Sequence, residues 1–112
     1  MTQGLGWSVE FYTDARGRQP ARDFILRLPN KERAVAVRML ELLEKYGVGL
    51  KMPYVRPIEG IWELRAGPNR FFYFLHVERR FIILHGYRKQ STKTPTREIE
   101  TAKRRMADFL EG

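Results

Sequence analysis

The residues with the most chemical potential lie together near the C-terminal end, in His85-Gly86-Tyr87-Arg88-Lys89-Gln90-Ser91-Thr92-Lys93. A two-residue period puts His85 and Tyr87 on one face of a strand end. Arg88, Lys89 and Lys93 follow at once. Histidine titrates near neutrality, and a tyrosine becomes a useful base only where cations depress its pKa. The same cations can bind a phosphate and stabilise charge that develops on it. Arg65 and Arg70 flank a Gly67-Pro68-Asn69 turn and can join this cluster if their strands neighbour it. A base, an acid and several cations suffice for RNA cleavage without a metal, because the ribose 2′-hydroxyl serves as the nucleophile.

Other chemistries find little support. There is no Cys, which excludes a disulfide framework, a thiolate zinc site and a cysteine nucleophile. The two histidines, His76 and His85, fall on different predicted strands and fit no metal-binding spacing. Ser8 and Ser91 lack the context of an activated nucleophile, and no glycine-rich phosphate loop occurs. No cofactor is expected.

The balance of 21 Lys and Arg against 13 Asp and Glu gives a net charge of +8, which favours a polyanionic partner. The charge is uneven. Nine cations and two acids lie between Arg79 and Arg105, against ten and seven in the first 60 residues. With 112 residues the chain is sized for one domain, residues 1–112. No apolar run approaches the roughly 20 residues of a membrane span. The first seven residues do not read as a signal peptide. A cytoplasmic location is expected.

The elements that must position the cluster read as an α+β domain. Trp7 to Tyr12 alternates as a strand. A short helix follows from Pro20 or Ala21 to Leu28. Asn30 is expected to cap a second helix running to about Tyr46. Its stripe is Val35, Met39, Leu42 and Tyr46, widened by Ala36, Leu40 and Leu43. Residues 51–60 read as a loop or a short irregular strand. Ile61–Ala66, Arg70–Val77 and Arg80–Tyr87 form an antiparallel meander on short turns. Thr94 is expected to cap a last helix that begins at Pro95 and ends near Leu110. Its apolar stripe is Ile99, Ala102, Met106, Phe109 and Leu110. Trp62, Phe71, Phe72, Tyr73 and Phe74 read as core rather than as a stacking surface.

Three pieces, Gly60-Ile61-Trp62-Glu63-Leu64-Arg65, Arg70-Phe71-Phe72-Tyr73 and Ile83-Leu84-His85-Gly86-Tyr87-Arg88-Lys89, are followed by Lys93-Thr94-Pro95, Glu98-Ile99 and Ala102. This ordered set resembles the RelE/HigB-like toxins of bacterial type II toxin–antitoxin systems, in the HigB-like branch that includes phage-derived relatives. The resemblance spans roughly residues 60–105. It implies the small RelE/ParE-like fold and an mRNA endonuclease acting on the ribosome. It also implies a cognate antitoxin, commonly a small helix-turn-helix DNA-binding protein. The matching site positions are Arg65, Arg70, His85, Tyr87, Arg88 and Lys89, with Lys93 as an RNA contact. Arg70 and Arg88 would bind the phosphate and the transition state. Either Tyr87 or His85 would be the base, and the other or a cation would assist the leaving group. The lysine-rich segment of some relatives is reduced here to Lys51 and Arg56, which the resemblance makes RNA contacts alongside Lys93. The fold also hosts gyrase-directed toxins, so that activity and a non-catalytic basic binding module remain the alternatives.

Overall fold

Alternation of large apolar residues with small or polar ones commits the second half of the chain to a sheet. In a computed structural model that describes residues 6–112, five strands and three α-helices are present among the described residues. They run β1 (Ser8–Phe11), α1 (Pro20–Leu26), α2 (Asn30–Tyr46), β2 (Val55–Ile58), β3 (Ile61–Ala66), β4 (Asn69–His76), β5 (Arg80–Arg88) and α3 (Thr96–Glu111). The sheet order is β1-β5-β4-β3-β2. Only the β1–β5 pair is parallel. Residues 1–5, part of the stretch weighed above as a signal peptide, lie outside the described residues. No helix among the described residues is long and apolar enough to cross a membrane.

The expected α+β architecture is present, with one strand more than the meander. Residues 55–58 pair antiparallel with β3, with Val55 opposite Leu64 and Ile58 opposite Ile61. Pro57 cannot donate to a ladder and is tolerated because β2 is an edge strand. Helices α1 and α2 cover one face of the sheet, over Leu64, Ala66, Phe71, Tyr73, Phe81 and Ile83. Helix α3 covers the other, over Ile61, Phe72, Phe74, Ile82 and Leu84. At the β3–β4 turn, Gly67 takes φ +63°, a setting that glycine enters without a Cβ penalty.

Helix boundaries and stripes differ from the expectation in instructive ways. Asn30 does not cap α2: Pro29 is the N-cap, Asn30 is already helical, and its side-chain Oδ1 accepts from the Arg33 guanidinium. On α2 the buried residues are Ala36, Met39, Leu40 and Leu43, while Val35 and Tyr46 are exposed. Thr94 does not cap α3 either, and the helix starts after Pro95. Leu110 is exposed. The half-buried Arg105 reaches from α3 to the Leu84 carbonyl instead. Trp62 is 40% exposed, so it is not core like its four aromatic companions. It faces the α1–α2 side, in a small hollow with Val48 and Leu75.

One irregularity decides where the candidate chemistry points. Phe72 pairs with His85 and Tyr73 with Ile83, so Leu84 is an extra residue in β5. Such a bulge shifts the alternation of every residue beyond it. Ile83 packs with the α1–α2 core, whereas Leu84 and Tyr87 pack on the α3 side. His85 also reaches α3, through Glu98 and Arg105. Without the bulge His85 and Tyr87 would continue the Phe81–Ile83 series into the α1–α2 core. Gly86 faces that core, where a Cβ would lie 2.7 Å from Phe71 and 2.8 Å from Phe24.

Candidate active site: a cationic cleft on the helix α3 face

The strand register builds two rows of side chains across the sheet. Arg65 pairs with Arg70, and Arg70 with Tyr87. The Arg65 amide donates to the Tyr54 carbonyl at 2.8 Å, which continues the β2–β3 ladder and sets Tyr54 opposite Arg65. The first row is therefore Tyr54, Arg65, Arg70 and Tyr87. In the second, Arg56 pairs with Glu63, Glu63 with Phe72, and Phe72 with His85. Cross-strand neighbours share a face, so both rows lie on the α3 side. At the β2 end they open into a cleft of about 240 Å³ lined by Tyr54, Arg56, Glu63, Arg65, Arg70 and Lys89, with Met52 and Pro53 on its wall.

Arg70 is only 9% exposed. Its Nη1 donates to the carbonyls of Gly67 at 2.6 Å and Asn69 at 2.9 Å, which fixes the guanidinium at the cleft wall. Burial, and then the charge of Arg65, lower its pKa. Like charges directly opposite one another across a ladder cost stability. Two facing arginines, one of them sunk into the protein, form a site that an anion would relieve.

Glu63 is the acid at the centre. It is 3% exposed. Arg56 Nε donates to its Oε1 at 2.8 Å, and the Tyr87 hydroxyl donates to its Oε2 at 2.9 Å. The Thr94 hydroxyl, expected at a helix cap, instead accepts from Arg56 Nη2 at 2.9 Å and lies 3.5 Å from Glu63 Oε2. Tyr87 is buried and lies against Phe72. Burial first, with the Glu63 hydrogen bond adding to it, pushes the phenol pKa up to about 12. At neutral pH it is a proton donor.

His85 lies beside both Phe72 and Tyr87, nearly parallel to each, at ring-centroid distances of 6.3 and 6.1 Å. Both its nitrogens are engaged by α3. Arg105 Nη1 lies 3.0 Å from Nδ1, and Glu98 Oε1 lies 2.5 Å from Nε2. A guanidinium can only donate, so the hydrogen is assigned to Nε2. Burial lowers the His85 pKa, with Glu98 opposing the shift. As pH falls, the unfolded chain therefore takes up a proton first. The stability contribution is full above the ordinary histidine value of about 6.5 and is lost as pH drops below it toward the lowered folded value. Calorimetry should show a thermal midpoint that falls as pH drops below about 6.5, and a shallower fall in His85→Gln. An unchanged slope in that variant would contradict the assignment.

The structure thus brings Arg65, Arg70, Lys89 and Arg56 to one cleft, with Tyr87 beneath its floor. It does not bring Arg88 there. Alternation sends Arg88 to the other face, where Nη1 holds Glu32 of α2 at 2.5 Å. His85 is one row away, turned to α3. Lys51 and Lys93 are exposed in flanking loops and do not line the cleft. Sequence reading missed Glu63 as a site residue, and also Thr94 and Tyr54. The signal for Glu63 was its place two residues before Arg65, on the same face of one strand. Among the described residues no three His, Asp or Glu side chains gather where they could hold a metal ion.

Comparison with known proteins agrees with this architecture. A family model for phage-derived Gp49-like proteins matches residues 23–107. No curated protein matches the sequence significantly. Among solved structures, a chain in the crystal structure of the toxin–antitoxin complex RelBE2 from Mycobacterium tuberculosis is similar in fold. Its TM-score is 0.56 at 20% identity, over 75% of this chain and 99% of that one. The chain therefore belongs to the phage-derived Gp49-like family, a family of the RelE type, and carries its cationic cleft on a RelE-like fold.

Proposed function

We propose that this protein is the toxin of a type II toxin–antitoxin pair and acts as a metal-independent endoribonuclease on mRNA, on the ribosome. Family membership and fold support the toxin role. The observation that carries the chemistry is a carboxylate, Glu63, set among Arg56, Arg65, Arg70 and Lys89 in one open cleft. The scissile phosphate sits against Arg65 and Arg70, whose charges have no acid opposite them in their row. Glu63 is the only carboxylate among the described residues lining the cleft, and it takes the proton of the ribose 2′-hydroxyl. The 2′-oxygen bonds to phosphorus, the bond to the 5′-oxygen breaks, and the Lys89 ammonium supplies a proton to the leaving oxygen. The products are a 2′,3′-cyclic phosphate and a 5′-hydroxyl. Arginines at the phosphate stabilise the added charge of the transition state.

In this reading Tyr87 is a positioning residue. Its phenol keeps its proton and holds Glu63. His85 ties β5 to α3 and keeps Tyr87 stacked. Arg88 braces the start of α2. The partners are mRNA, the ribosome and a cognate antitoxin, expected to be a small helix-turn-helix protein, and the site of action is the cytoplasm.

Inducible expression with mapping of transcript 5′ ends tests the reading. New ends in codon register within translated regions are expected for the wild type and not for Arg70→Lys. Growth arrest with intact transcripts and a DNA-damage response would overturn it in favour of a gyrase-directed toxin.

A further inference from the structure

One residue of the first row has no part in phosphate chemistry. Tyr54 stands at its outer end, opposite Arg65, and lines the same cleft. It is 47% exposed, whereas Phe72, Phe74 and Tyr87 on this face of the sheet are buried. Those rings pack against other rings. Among the described residues no ring pairing involves Tyr54. Met52, 70% exposed, and Pro53 extend the same wall. The cleft therefore has Arg65 on β3, Arg70 on β4 and Lys89 after β5 along one side, and at the β2 edge, next to Arg56, an open aromatic and apolar wall.

We infer that Tyr54 is a stacking platform for a nucleobase next to the scissile phosphate, so that the cleft binds its RNA by one base face as well as by the phosphate. This rests on the endoribonuclease reading above and adds a base-binding residue to it. Adjacent strands lie roughly 5 Å apart, so Tyr54 stands about one such step from Arg65 and about 10 Å from Arg70. A base hung through its sugar from a phosphate at the arginines spans that distance. The Tyr54 backbone is held on both sides, with its amide donating to the Lys51 carbonyl at 3.0 Å and its own carbonyl accepting from Arg65. Little backbone ordering is then needed on binding. Base–aromatic stacking tolerates any sequence, because every base has a π face. Tyr54 thus adds affinity and fixes the position of the cut, with only a mild preference among bases.

The test uses the full chain, ribosomes and short mRNAs that carry an abasic nucleotide at each position of the A-site codon in turn. The rate read is kcat/KM for wild type, Tyr54→Ala and Tyr54→Phe. At one position, removal of the base is expected to slow the wild type roughly 5- to 100-fold. Tyr54→Ala should be slowed by a similar factor on the intact codon and lose nothing more on that abasic codon. Tyr54→Phe should behave as wild type. Wild-type rates for Tyr54→Ala on intact mRNA, or losses from ring and base that multiply, would overturn the proposal while leaving the nuclease reading in place. Intact mRNA with the wild-type protein would overturn the nuclease reading and this inference with it.

Discussion

Arg70→Lys is expected to lower kcat/KM for mRNA cleavage by roughly 100- to 1000-fold, the scale seen when one preorganised transition-state donor is removed. The substitution keeps the charge and removes the geometry. Arg70 spends one nitrogen on the Gly67 and Asn69 carbonyls, which leaves the rest of a fixed, planar fork for the phosphate. A lysine there offers a rotating point charge. The fold should survive, because the neighbours of Arg70 in its row are a second arginine and a buried tyrosine, and no acid loses a partner. Steady-state cleavage rates with circular dichroism of both proteins check this. Wild-type activity in Arg70→Lys would show that charge alone suffices, and the preorganised row would lose its significance.

Glu63→Gln should lower kcat by roughly 100- to 10,000-fold, the usual contribution of a general base, with KM unchanged or reduced. The amide is nearly isosteric and can still accept from Tyr87, but it cannot take a proton from the 2′-hydroxyl. Removing the negative charge also makes the cleft more cationic, so RNA binding should not weaken. That split separates a base from a residue that only organises the site. Glu63→Ala is the harsher change. It leaves the Tyr87 hydroxyl buried without its carboxylate and should cost about 1–3 kcal/mol of stability. Denaturant unfolding measures the second effect and single-turnover kinetics the first. If Glu63→Gln cleaves at the wild-type rate, the carboxylate is structural and the base lies elsewhere.

Local pattern made the central strands legible. Ile61–Ala66 was placed to the residue, and the next two strands to within one, because a buried β-strand imposes a strict two-residue period. Strand β2 was less so, since Arg56 and Pro57 break its alternation and its identity comes from pairing with β3. The cap expected at Thr94 is absent for a tertiary reason: the hydroxyl that normally caps is committed to Arg56, 38 residues away in sequence.

The site was legible as a list of residue types and not as a geometry. Arg65, Arg70, Tyr87 and Lys89 could be named because they flank turns or strand ends. That Arg88 points the other way follows from a bulge at Leu84 that no residue type announces. Glu63 looks like a solvated acid when read along its strand. Its burial is created by Arg56 and Tyr87, brought from 7 and 24 residues away by the register. The choice between His85 and Tyr87 could not be made from residue types. Each environment differs from the free side chain, and α3 occupies both nitrogens of His85.

The most direct test of the central claim is cleavage of an mRNA with a single 2′-deoxynucleotide on the 5′ side of the mapped cut. If Glu63 activates the ribose hydroxyl, that one missing oxygen abolishes cleavage at the site, and the all-ribose control yields a 2′,3′-cyclic phosphate and a 5′-hydroxyl. Cleavage of the deoxy substrate at the control rate would mean that water or another nucleophile attacks the phosphate, and would contradict the mechanism.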